Sequence, residues 1–497
     1  MFKNFPGYKV LEKIQKNKSH KRERKLPLNA IKFLFIATLS LVVALLPSET
    51  FGIEGLTVIH QRIIGLFVFA ALMWLTETMP SWVTSMIVVT VMLFTVSTSA
   101  FSFLRPEDGA GLVPFKSIFA CFSNPTIMLF IGGFVLAIGL TKVKLDVALA
   151  RVLLKPFGTR SEIVLLGFIL VTAIFSAFVS NTATAAMMLA FLTPVLRSLP
   201  ADGKGRIALA LAIPVGANLG GMMTPIGTPP NMIALDYLSS QGMGISFVDW
   251  TIKMAPFVIV LLILSWLLLR IMFPFKQKNI KIEIEGDIKW NYQTWAVVAA
   301  FAVTIFMWMF GTDLWGLDTN VVAMIPIAIF CATGILTRRD LEEINWSVLW
   351  MVAGGFALGV ALNYTDGVSP SLSKLIVGSV PFNEFSPLVV MILAGLICFG
   401  FSNFISHSAA TSLLVPVLGV VASGMTTELA PLGGPQAMLV GIAIASSVSM
   451  ILPISTPPNA IAHSTGFIQQ KDMMKIGIAI GVLGLVLGYA MLIFIGF

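Results

Sequence analysis

Charged residues are scarce in this sequence. Only 11% of its 497 residues are Asp, Glu, Lys or Arg, whereas soluble domains average about 25%. Apolar runs of about twenty residues recur along the whole chain. No polar face recurs within these runs at the helical period, which excludes a very large soluble helical core. The composition therefore predicts an all-α polytopic membrane protein.

Cysteine is also sparse, and its positions exclude two kinds of site. Cys121, Cys331 and Cys398 lie in or beside apolar runs and lack the spacing of metal ligands. We interpret them as packing residues, neither disulfides nor ligands. The net charge of +8 comes from short basic tracts beside apolar runs, where such tracts report membrane orientation. We therefore expect no cofactor and no nucleic-acid partner.

The N-terminal 30 residues are rich in Lys and Arg. No cleavable signal is visible, because the basic tail is long and the first apolar run lacks an obvious small-residue cleavage site. We expect residues 1–30 to form a loosely ordered cytoplasmic tail. An additional membrane helix is predicted at 31–48, outside the repeats described next.

Two polar stretches occur twice in the chain. The first reads FSAFVSNTA at 175–183 and FSNFISHSA at 401–409, each time between two apolar arms. The second reads PIGTPPN at 225–231 and PISTPPN at 453–459. One S-N-T would usually satisfy backbone or join helices, and one Pro-Pro would usually mark a kink. Two copies of both, in the same order, indicate paired broken segments at membrane depth, which is typical of a transporter binding site.

The spans between these stretches form two repeats. The first repeat is predicted at 49–275 and the second at 291–497, joined by a Lys-rich cytoplasmic linker at 276–290. The predicted crossings of the repeats are 62–78, 81–97, 126–141, 207–238, 251–273, 291–311, 318–336, 347–362, 435–465 and 474–495. Five crossings in each repeat, an odd number, would turn the second repeat upside down relative to the first.

The apolar arms at 161–200 and 385–425 allow two arrangements. Basic residues at both outer ends of the first pair place both ends in the cytoplasm by the positive-inside rule. The pair therefore either crosses the membrane twice or forms a re-entrant hairpin with its polar tip at mid-membrane. The polar tip favours the hairpin, since a full crossing would leave Asn181 with little purpose. The two tips are then expected to meet near the midplane, beside broken helices at 207–238 and 435–465.

The four polar stretches contain no Asp or Glu. They offer backbone N–H groups, hydroxyls and amides, and the N-termini of half-helices present positive dipole ends to an anion. Unwound carbonyls can coordinate a cation. The chemistry therefore favours a small anion held mainly by neutral donors.

Two other classes of function are less consistent with the sequence. A channel needs a continuous polar pore, whereas the polarity here is confined to a midplane cluster. A hydrolase would need an acid that orients His407 toward Ser406 or Ser408. These residues are neighbours on a tight tip, where side chains rarely point at one another, and no such acid is present.

The two tips and the paired TPPN stretches resemble the divalent anion:sodium symporter family, and the resemblance covers nearly the whole chain after residue 30. That family carries dicarboxylates, citrate or sulfate. The resemblance implies a homodimer in the lipid bilayer of a bacterial cytoplasmic membrane. It also implies an elevator mechanism, in which one domain moves and the other stays fixed.

The resemblance also implies which residues bind ligands. The expected substrate residues are Ser180, Asn181, Thr182, Thr228, Pro229, Ser406, His407, Ser408, Thr456 and Pro457. A first sodium site would use Ser176, Ser180, Asn181 and Gly227. A second sodium site would use Ser402, Ile405, His407 and Ser455.

The sequence departs from the family at His407 and Ser408, where the sodium symporters typically have Asn and Thr. Ser408 keeps the hydroxyl, but an imidazolium at His407 would bring its own positive charge to the place of a sodium ion. The alternative is a neutral His407 that hydrogen-bonds in place of the amide. The departure favours exchange of di- or tricarboxylates of the succinate, malate, 2-oxoglutarate, citrate or tartrate class. A sodium-coupled dicarboxylate or sulfate symporter is the alternative.

Overall fold

A computed structural model describes residues 26–107, 109–200, 203–280, 290–367, 369–381 and 384–496. Within these ranges the chain is helical, and its only β-type contacts are isolated bridges, Ser97 with Val113 and Arg160 with Asn279. The α-helices in chain order are α1 (Leu26–Leu45), α2 (Val58–Thr76), α3 (Ser81–Thr95), α4 (Phe115–Ala120), α5 (Pro125–Lys142), α6 (Leu145–Leu154), α7 (Ser161–Ser176), α8 (Asn181–Ser198), α9 (Lys204–Gly220), α10 (Pro229–Ser240), α11 (Phe247–Met272), α12 (Tyr292–Trp315), α13 (Thr319–Val322), α14 (Met324–Ala332), α15 (Arg338–Glu342), α16 (Trp346–Asn363), α17 (Leu372–Ser379), α18 (Pro387–Phe404), α19 (His407–Gly424), α20 (Thr426–Leu429), α21 (Gly434–Ser447), α22 (Pro457–Ser464) and α23 (Gln470–Phe494).

Eight helical segments of the described residues are long and apolar enough to cross a membrane. They are α2, α4 together with α5, α11, α12, α16, α18, α19 and α23. A ninth candidate consists of 426–432 and α21, which meet at a bend of 68°. The predicted all-α polytopic membrane fold is therefore confirmed.

The first helix begins earlier than the sequence predicted. α1 starts at Leu26, inside the stretch 1–30 that we assigned to a loosely ordered tail. Pro27 lies in its first turn, where a backbone N–H has no intrahelical partner and the missing donor of proline costs nothing. The rest of the predicted tail, residues 1–25, and residues 281–289 of the predicted linker lie outside the described residues.

Two predicted crossings are shorter than expected. The span predicted at 81–97 is the 15-residue helix α3, which is about 22 Å long against about 30 Å of bilayer hydrocarbon. The span predicted at 318–336 is divided into the short helices α13 and α14 at Ala323. Gly132 of α5 allows this division, because a Cβ on Gly132 would lie 2.5 Å from the Ala323 carbonyl oxygen.

The proline pairs begin helices rather than end them. α9 already ends at Gly220, and α10 starts at Pro229 after an extended Thr228. In the same way α21 ends at Ser447, and α22 starts at Pro457. Proline suits the first helical positions, where its missing N–H is not needed and its φ is already helical. Each TPPN stretch therefore marks the start of the second half of a broken helix.

The two polar tips are also helix starts. Ser180 caps α8, and its Oγ accepts a hydrogen bond from the Ala183 N–H at 3.3 Å. Ser406 caps α19 in the same way, through the Ala409 N–H at 3.3 Å. Serine is among the residues preferred at this position because its short side chain satisfies an orphan backbone donor. Four helix starts, those of α8, α10, α19 and α22, thus follow polar stretches.

Helices from the two halves of the chain pack into each other. α8 packs on α22, and α10 packs on α19, so each hairpin contacts the broken helix of the other half. Within each half, α7 packs on α9, and α18 and α19 pack on α21. The helices of a second group pack on one another. They are α3, α5, α12, α13, α14 and α16. Because each hairpin packs on the broken helix of the other half, residues of both halves lie together in one central region.

An ion pair joins the end of α5 to α15. The Lys142 ammonium donates to the Asp340 carboxylate and, at 2.5 Å, to the Ile335 carbonyl. The Thr337 N–H and hydroxyl donate to the same carboxylate oxygen at 2.6 Å each. Burial alone would raise the pKa of Asp340, but the hydrogen bonds from Lys142 and Thr337 outweigh it and lower that pKa below its usual value. The lowered pKa means that folding favours the ionised carboxylate.

Asp340→Asn should destabilise the protein at neutral pH, by about 1 kcal/mol because Lys142 is partly exposed. The wild-type advantage should be present at pH 7, above the pKa of a free aspartate, and should be lost as the pH falls through the lowered pKa. Thermal unfolding of both purified proteins in detergent, at pH 7 and at a pH below the lowered pKa of Asp340, measures this difference in stability. Glu342→Gln is the matched control, since its pair with Arg338 is exposed and 3.6 Å long. Equal losses in both variants would contradict the structural role of Asp340.

The predicted inversion of the repeats implies that two positions after the hairpins are exposed on opposite sides of the membrane. Lys204 and Thr427 are both exposed. In a background with the exposed Cys331 replaced by serine, Lys204→Cys should react with an impermeant maleimide only from the cytoplasm. Thr427→Cys should react only from outside. Labelling of both from one side would rule out the inversion.

Candidate functional site

The tips and the TPPN stretches of both halves converge on one cavity of about 350 Å³. This volume lies within the range of about 300–1,000 Å³ that is usual for small-molecule sites. All ten residues expected to bind substrate line the cavity, as do Gly227 and Ser455 from the two expected sodium sites. Ser176, Ser402 and Ile405 do not line it but are buried beside it. We call this space the tip cavity.

Several lining residues were not predicted from the sequence. Trp82, Asn345 and Ser347 are exposed and lie where the cavity meets the surface. Asn218 lies in its wall and is buried. The sequence did contain a signal for Asn218. An amide inside the apolar run of α9 is energetically unfavourable in a membrane segment unless it has a function or a hydrogen-bond partner.

The first tip is packed against the break between α9 and α10. The buried Ser176 Oγ lies 2.6 Å from Asn181 Oδ1 and 2.7 Å from the Ala217 carbonyl oxygen. Because the hydroxyl has one proton, it can donate to only one of these oxygens at a time. Gly221 permits the close approach of the tip, since a Cβ there would lie 2.7 Å from Asn181 Oδ1. The result is a cluster of three oxygen atoms next to the tip cavity.

The unwound segments are held by the asparagines that end the TPPN stretches. Asn231 Nδ2 donates to the carbonyls of Gly221 at 3.0 Å and Thr224 at 2.8 Å. Asn459 Nδ2 donates to the carbonyls of Met450 at 2.9 Å and Leu452 at 3.0 Å. Each amide thus adds a hydrogen bond to two carbonyls of the unwound segment, where the Thr224 and Leu452 carbonyls also accept from the N–H groups of Gly227 and Ser455.

The second tip differs because His407 replaces the amide. The buried imidazole places Nε2 2.5 Å from the Ser449 carbonyl oxygen. Since a carbonyl can only accept, Nε2 carries a hydrogen whether the ring is neutral or charged. The His407 carbonyl accepts from the hydroxyls of Thr411 at 2.8 Å and Ser446 at 3.1 Å. The ring therefore occupies a carbonyl of the second break that could otherwise coordinate a cation.

The second expected sodium set differs from the first at His407. Ser402 Oγ donates to Ser446 Oγ at 3.2 Å, and Ser455 Oγ donates to the Asn403 carbonyl at 3.0 Å. The Ser446 hydroxyl in turn donates to the His407 carbonyl at 3.1 Å, so Ser402, Ser446 and His407 also form a group of oxygen atoms. The difference is that the Nε2–H of His407 is a donor, whereas the corresponding Asn181 places its Oδ1 in the oxygen cluster of the first set.

Comparisons with known proteins identify the family. Residues 71–433 match the model of the citrate transporter (CitMHS) family. The chain belongs to this family. A transporter of Haemophilus influenzae is 31% identical over 434 residues, which are 83% of this chain and 87% of that protein. The sodium-dependent dicarboxylate transporter SdcS of Staphylococcus saprophyticus is 28% identical over 460 residues, 85% of this chain and 84% of that one.

A solved structure has the same fold. The crystal structure of the YdaH transporter of Alcanivorax borkumensis matches with a TM-score of 0.51 and 15% identity, covering 86% of this chain and 96% of that one. The expected resemblance to the divalent anion:sodium symporter family is thus confirmed. This member of the citrate transporter family is a membrane transporter and not an enzyme, so the hydrolase alternative is excluded.

If the two tips clamp one anion, Asn181→Ala and Ser408→Ala should each weaken its apparent affinity by about ten- to a hundredfold, because each removes one charge-assisted hydrogen bond. Competition by succinate or citrate for uptake into proteoliposomes measures this. Ser423→Ala is the control, since Ser423 lies on α19 and its hydroxyl donates to the Gly419 carbonyl within that helix. Unchanged affinity in both tip variants would place the site elsewhere.

Proposed function

We propose that this protein is a secondary active transporter that exchanges di- or tricarboxylate anions across a bacterial cytoplasmic membrane. The observation that carries the proposal is the convergence of both tips and both TPPN stretches on one cavity. These four stretches contain no acidic residue, and Glu77, at the end of α2, is the acidic residue among the described lining residues of the cavity. The family match to citrate transporters and the likeness to SdcS, a dicarboxylate transporter, support the same class of substrate.

The anion would be held by helix starts. α8, α10, α19 and α22 all begin at residues that line the tip cavity. The first N–H groups of α8 and α19 have no intrahelical partner, and the dipole there favours negative charge. α10 and α22 begin with two prolines, which have no N–H, so these helices would contribute only the positive ends of their dipoles. One carboxylate would bind at Ser180, Asn181 and Thr182, and the other at Ser406, His407 and Ser408. Thr228, Pro229, Thr456 and Pro457 would border the chain between the two carboxylates.

His407 supports exchange over sodium symport. Its Nε2–H donates to the Ser449 carbonyl, so the ring presents a donor where the amide of a sodium symporter would present an oxygen. A protonated ring would keep a positive charge in the protein after the substrate leaves. Moving that unpaired charge through a low-dielectric path is costly, whereas a bound dianion compensates it. The empty carrier would therefore return slowly, and one anion would have to be exchanged for another.

Sodium-coupled transport of dicarboxylate or sulfate is the second candidate. The oxygen cluster of Ser176, Asn181 and the Ala217 carbonyl favours it, because hard cations prefer oxygen ligands. A sodium ion held there, with Ser180 and Gly227 beside it, would offset part of the substrate charge. The name of the relative SdcS as sodium-dependent supports this candidate too.

The movement we propose is of elevator type. A second cavity of about 1,100 Å³ follows the tip cavity along α5 and α16, and Met232 lines both. A hydrogen bond of 2.8 Å from the Thr126 hydroxyl to Asp236 joins α5 to α10 at this second cavity. The helices that carry the tips would slide as one body past α3, α5 and α16, which would carry the substrate from one cavity opening to the other. We also propose the homodimer that the resemblance implies.

Uptake into proteoliposomes separates the two candidates. Labelled succinate should enter only when the liposomes contain an unlabelled anion of this class, and sodium should not be needed. Robust accumulation driven by a sodium gradient into liposomes without internal anion would instead establish symport.

His407→Asn should slow exchange, because the variant loses an imidazole that a bound dianion would keep protonated, and it should gain some stimulation by sodium. Ser423→Ala again serves as the control for expression and reconstitution. Unchanged exchange in His407→Asn would remove His407 from the mechanism.

A further inference from the structure

A side-chain hydrogen bond at the second cavity joins the two groups of helices. The Thr126 hydroxyl, in the first turn of α5, donates to the Asp236 carboxylate at 2.8 Å. α5 packs on α13 and α14, whereas α10, which carries Asp236, packs on α19 and α21. The contact therefore links the helices that carry the tips to the helices past which we propose that they slide.

The start of α5 suits the Asp236 carboxylate. Its first N–H groups have no intrahelical partners, and the positive end of its dipole favours a negative charge. Asn124 caps this start, where its Oδ1 accepts from the Thr126 N–H at 2.8 Å. No Lys, Arg or His belongs to the described residues that line the second cavity. Asp236 thus relies on the start of α5 and on neutral donors rather than on a basic side chain of the cavity.

The second half of the chain repeats this helix start. Asn124-Pro125-Thr126 precedes the Gly-Gly-Phe of α5 at 132–134, and Asn345-Trp346-Ser347 precedes the Gly-Gly-Phe of α16 at 354–356. Asn345 and Ser347 are exposed and line the tip cavity where it meets the surface. The start of α16 therefore faces an open cavity, whereas the start of α5 is in contact with α10.

The counterpart of Asp236 in the second half is Ser464, at the same separation in sequence as Thr228 and Thr456. Ser464 is the last residue of α22 and is exposed, and its hydroxyl donates to the Ile461 carbonyl of its own helix at 2.7 Å. Movement between two states exchanges the roles of the halves of an inverted repeat. In the opposite state, the end of α22 would then meet the start of α16, as α10 meets α5 here.

We propose, on the basis of the proposed function, that Thr126 and Asp236 form a latch that holds the empty carrier in the state described here, and that Ser347 and Ser464 meet in the opposite state. The two contacts differ in strength, because a hydrogen bond to a carboxylate is about twice as strong as one between neutral groups. The latch therefore biases the empty carrier toward the state in which the tip cavity is open at Asn345 and Ser347.

The first test fixes the latch. The double variant Thr126→Cys, Asp236→Cys is made with Cys121 and Cys331 replaced by serine, since Cys121 lines the same cavity and Cys331 is exposed. Hg²⁺ should bridge the two introduced thiols, because the side-chain oxygens they replace are 2.8 Å apart. Exchange of labelled succinate should then be nearly abolished and should recover when dithiothreitol removes the metal.

Each single cysteine variant of the latch, treated with Hg²⁺ in the same way, is the control for this test. Loss of maleimide reactivity in the double variant verifies the bridge. Bridged protein that exchanges at the rate of the controls would show that the contact persists throughout the cycle and would overturn the proposal.

The second test measures the opposite state and needs no substrate. Ser347→Cys and Ser464→Cys are combined in the same background, and a short bismaleimide should link them within one chain at a rate proportional to the population of that state. Asp236→Asn should accelerate this cross-linking about fivefold, because a neutral acceptor weakens the latch by about 1 kcal/mol. Thr126→Val should accelerate it similarly, and the combined variant should add little, since the two residues share one hydrogen bond.

Asp318→Asn is the matched control for the second test. Asp318 lines the same cavity, but it caps α13 by accepting from the Asn320 N–H at 2.8 Å and does not join the two groups of helices. Its substitution removes the same charge and should leave the cross-linking rate unchanged. Equal acceleration in Asp236→Asn and Asp318→Asn, no acceleration in Asp236→Asn, or no cross-link in any variant would overturn the proposal.

The proposed function and this inference fail in different ways. If wild-type protein exchanges no di- or tricarboxylate but Asp236→Asn accelerates the cross-linking, the proposed substrate class is wrong and the latch stands. If wild-type protein exchanges succinate and the bridged Thr126→Cys, Asp236→Cys variant does so too, only the latch is wrong.

Discussion

Every backbone polar group at membrane depth must find a partner inside the protein, and the architecture of this transporter follows from that constraint. A site made of helix starts requires helices to be broken, and each break leaves carbonyls and N–H groups without intrahelical partners. Asn231 and Asn459 donate to two carbonyls each, and Ser180 and Ser406 cap the helices at the tips. The starts of α8 and α19 line the tip cavity, where a bound anion would satisfy their first N–H groups.

The two halves place different residues at equivalent positions of their tips, and these differences bear on the function that we propose. Where the first tip places the Asn181 amide beside Gly221, the second places the His407 ring against the Ser449 carbonyl. The first half therefore keeps a group of oxygens, whereas the second half supplies its own N–H. A repeat sets up two similar half-sites, and we propose that single substitutions between them decide whether a half-site accepts a cation.

Much of this could be predicted from the sequence because the polar stretches are doubled. One copy of 175–183 or 225–231 would indicate no more than a kink or a helix contact, but two copies predict converging breaks. The ten expected substrate residues do line one cavity. Span lengths were predicted less well: α3 is short, and 318–336 is divided at Ala323. Hydropathy reports apolar content, but it does not report that Gly132 brings the backbone of α5 against that division.

The sequence by itself determined the membrane class, the doubling of the halves and the residue types at the tips, because these depend on composition, period and order along the chain. Only the tertiary structure decided which polar groups are already used and which are left over. Ser176 and Ser402 occupy equivalent places in the two motifs, yet one lies in an oxygen cluster and the other bonds to Ser446. Asn218 lies in neither repeated stretch. Its Oδ1 has no hydrogen-bond partner among the described residues, because Asn459 from the other half accepts from Nδ2 and so determines how the amide is turned. Hydrogen bonds between distant residues depend on distances and directions in space, which local sequence patterns do not contain.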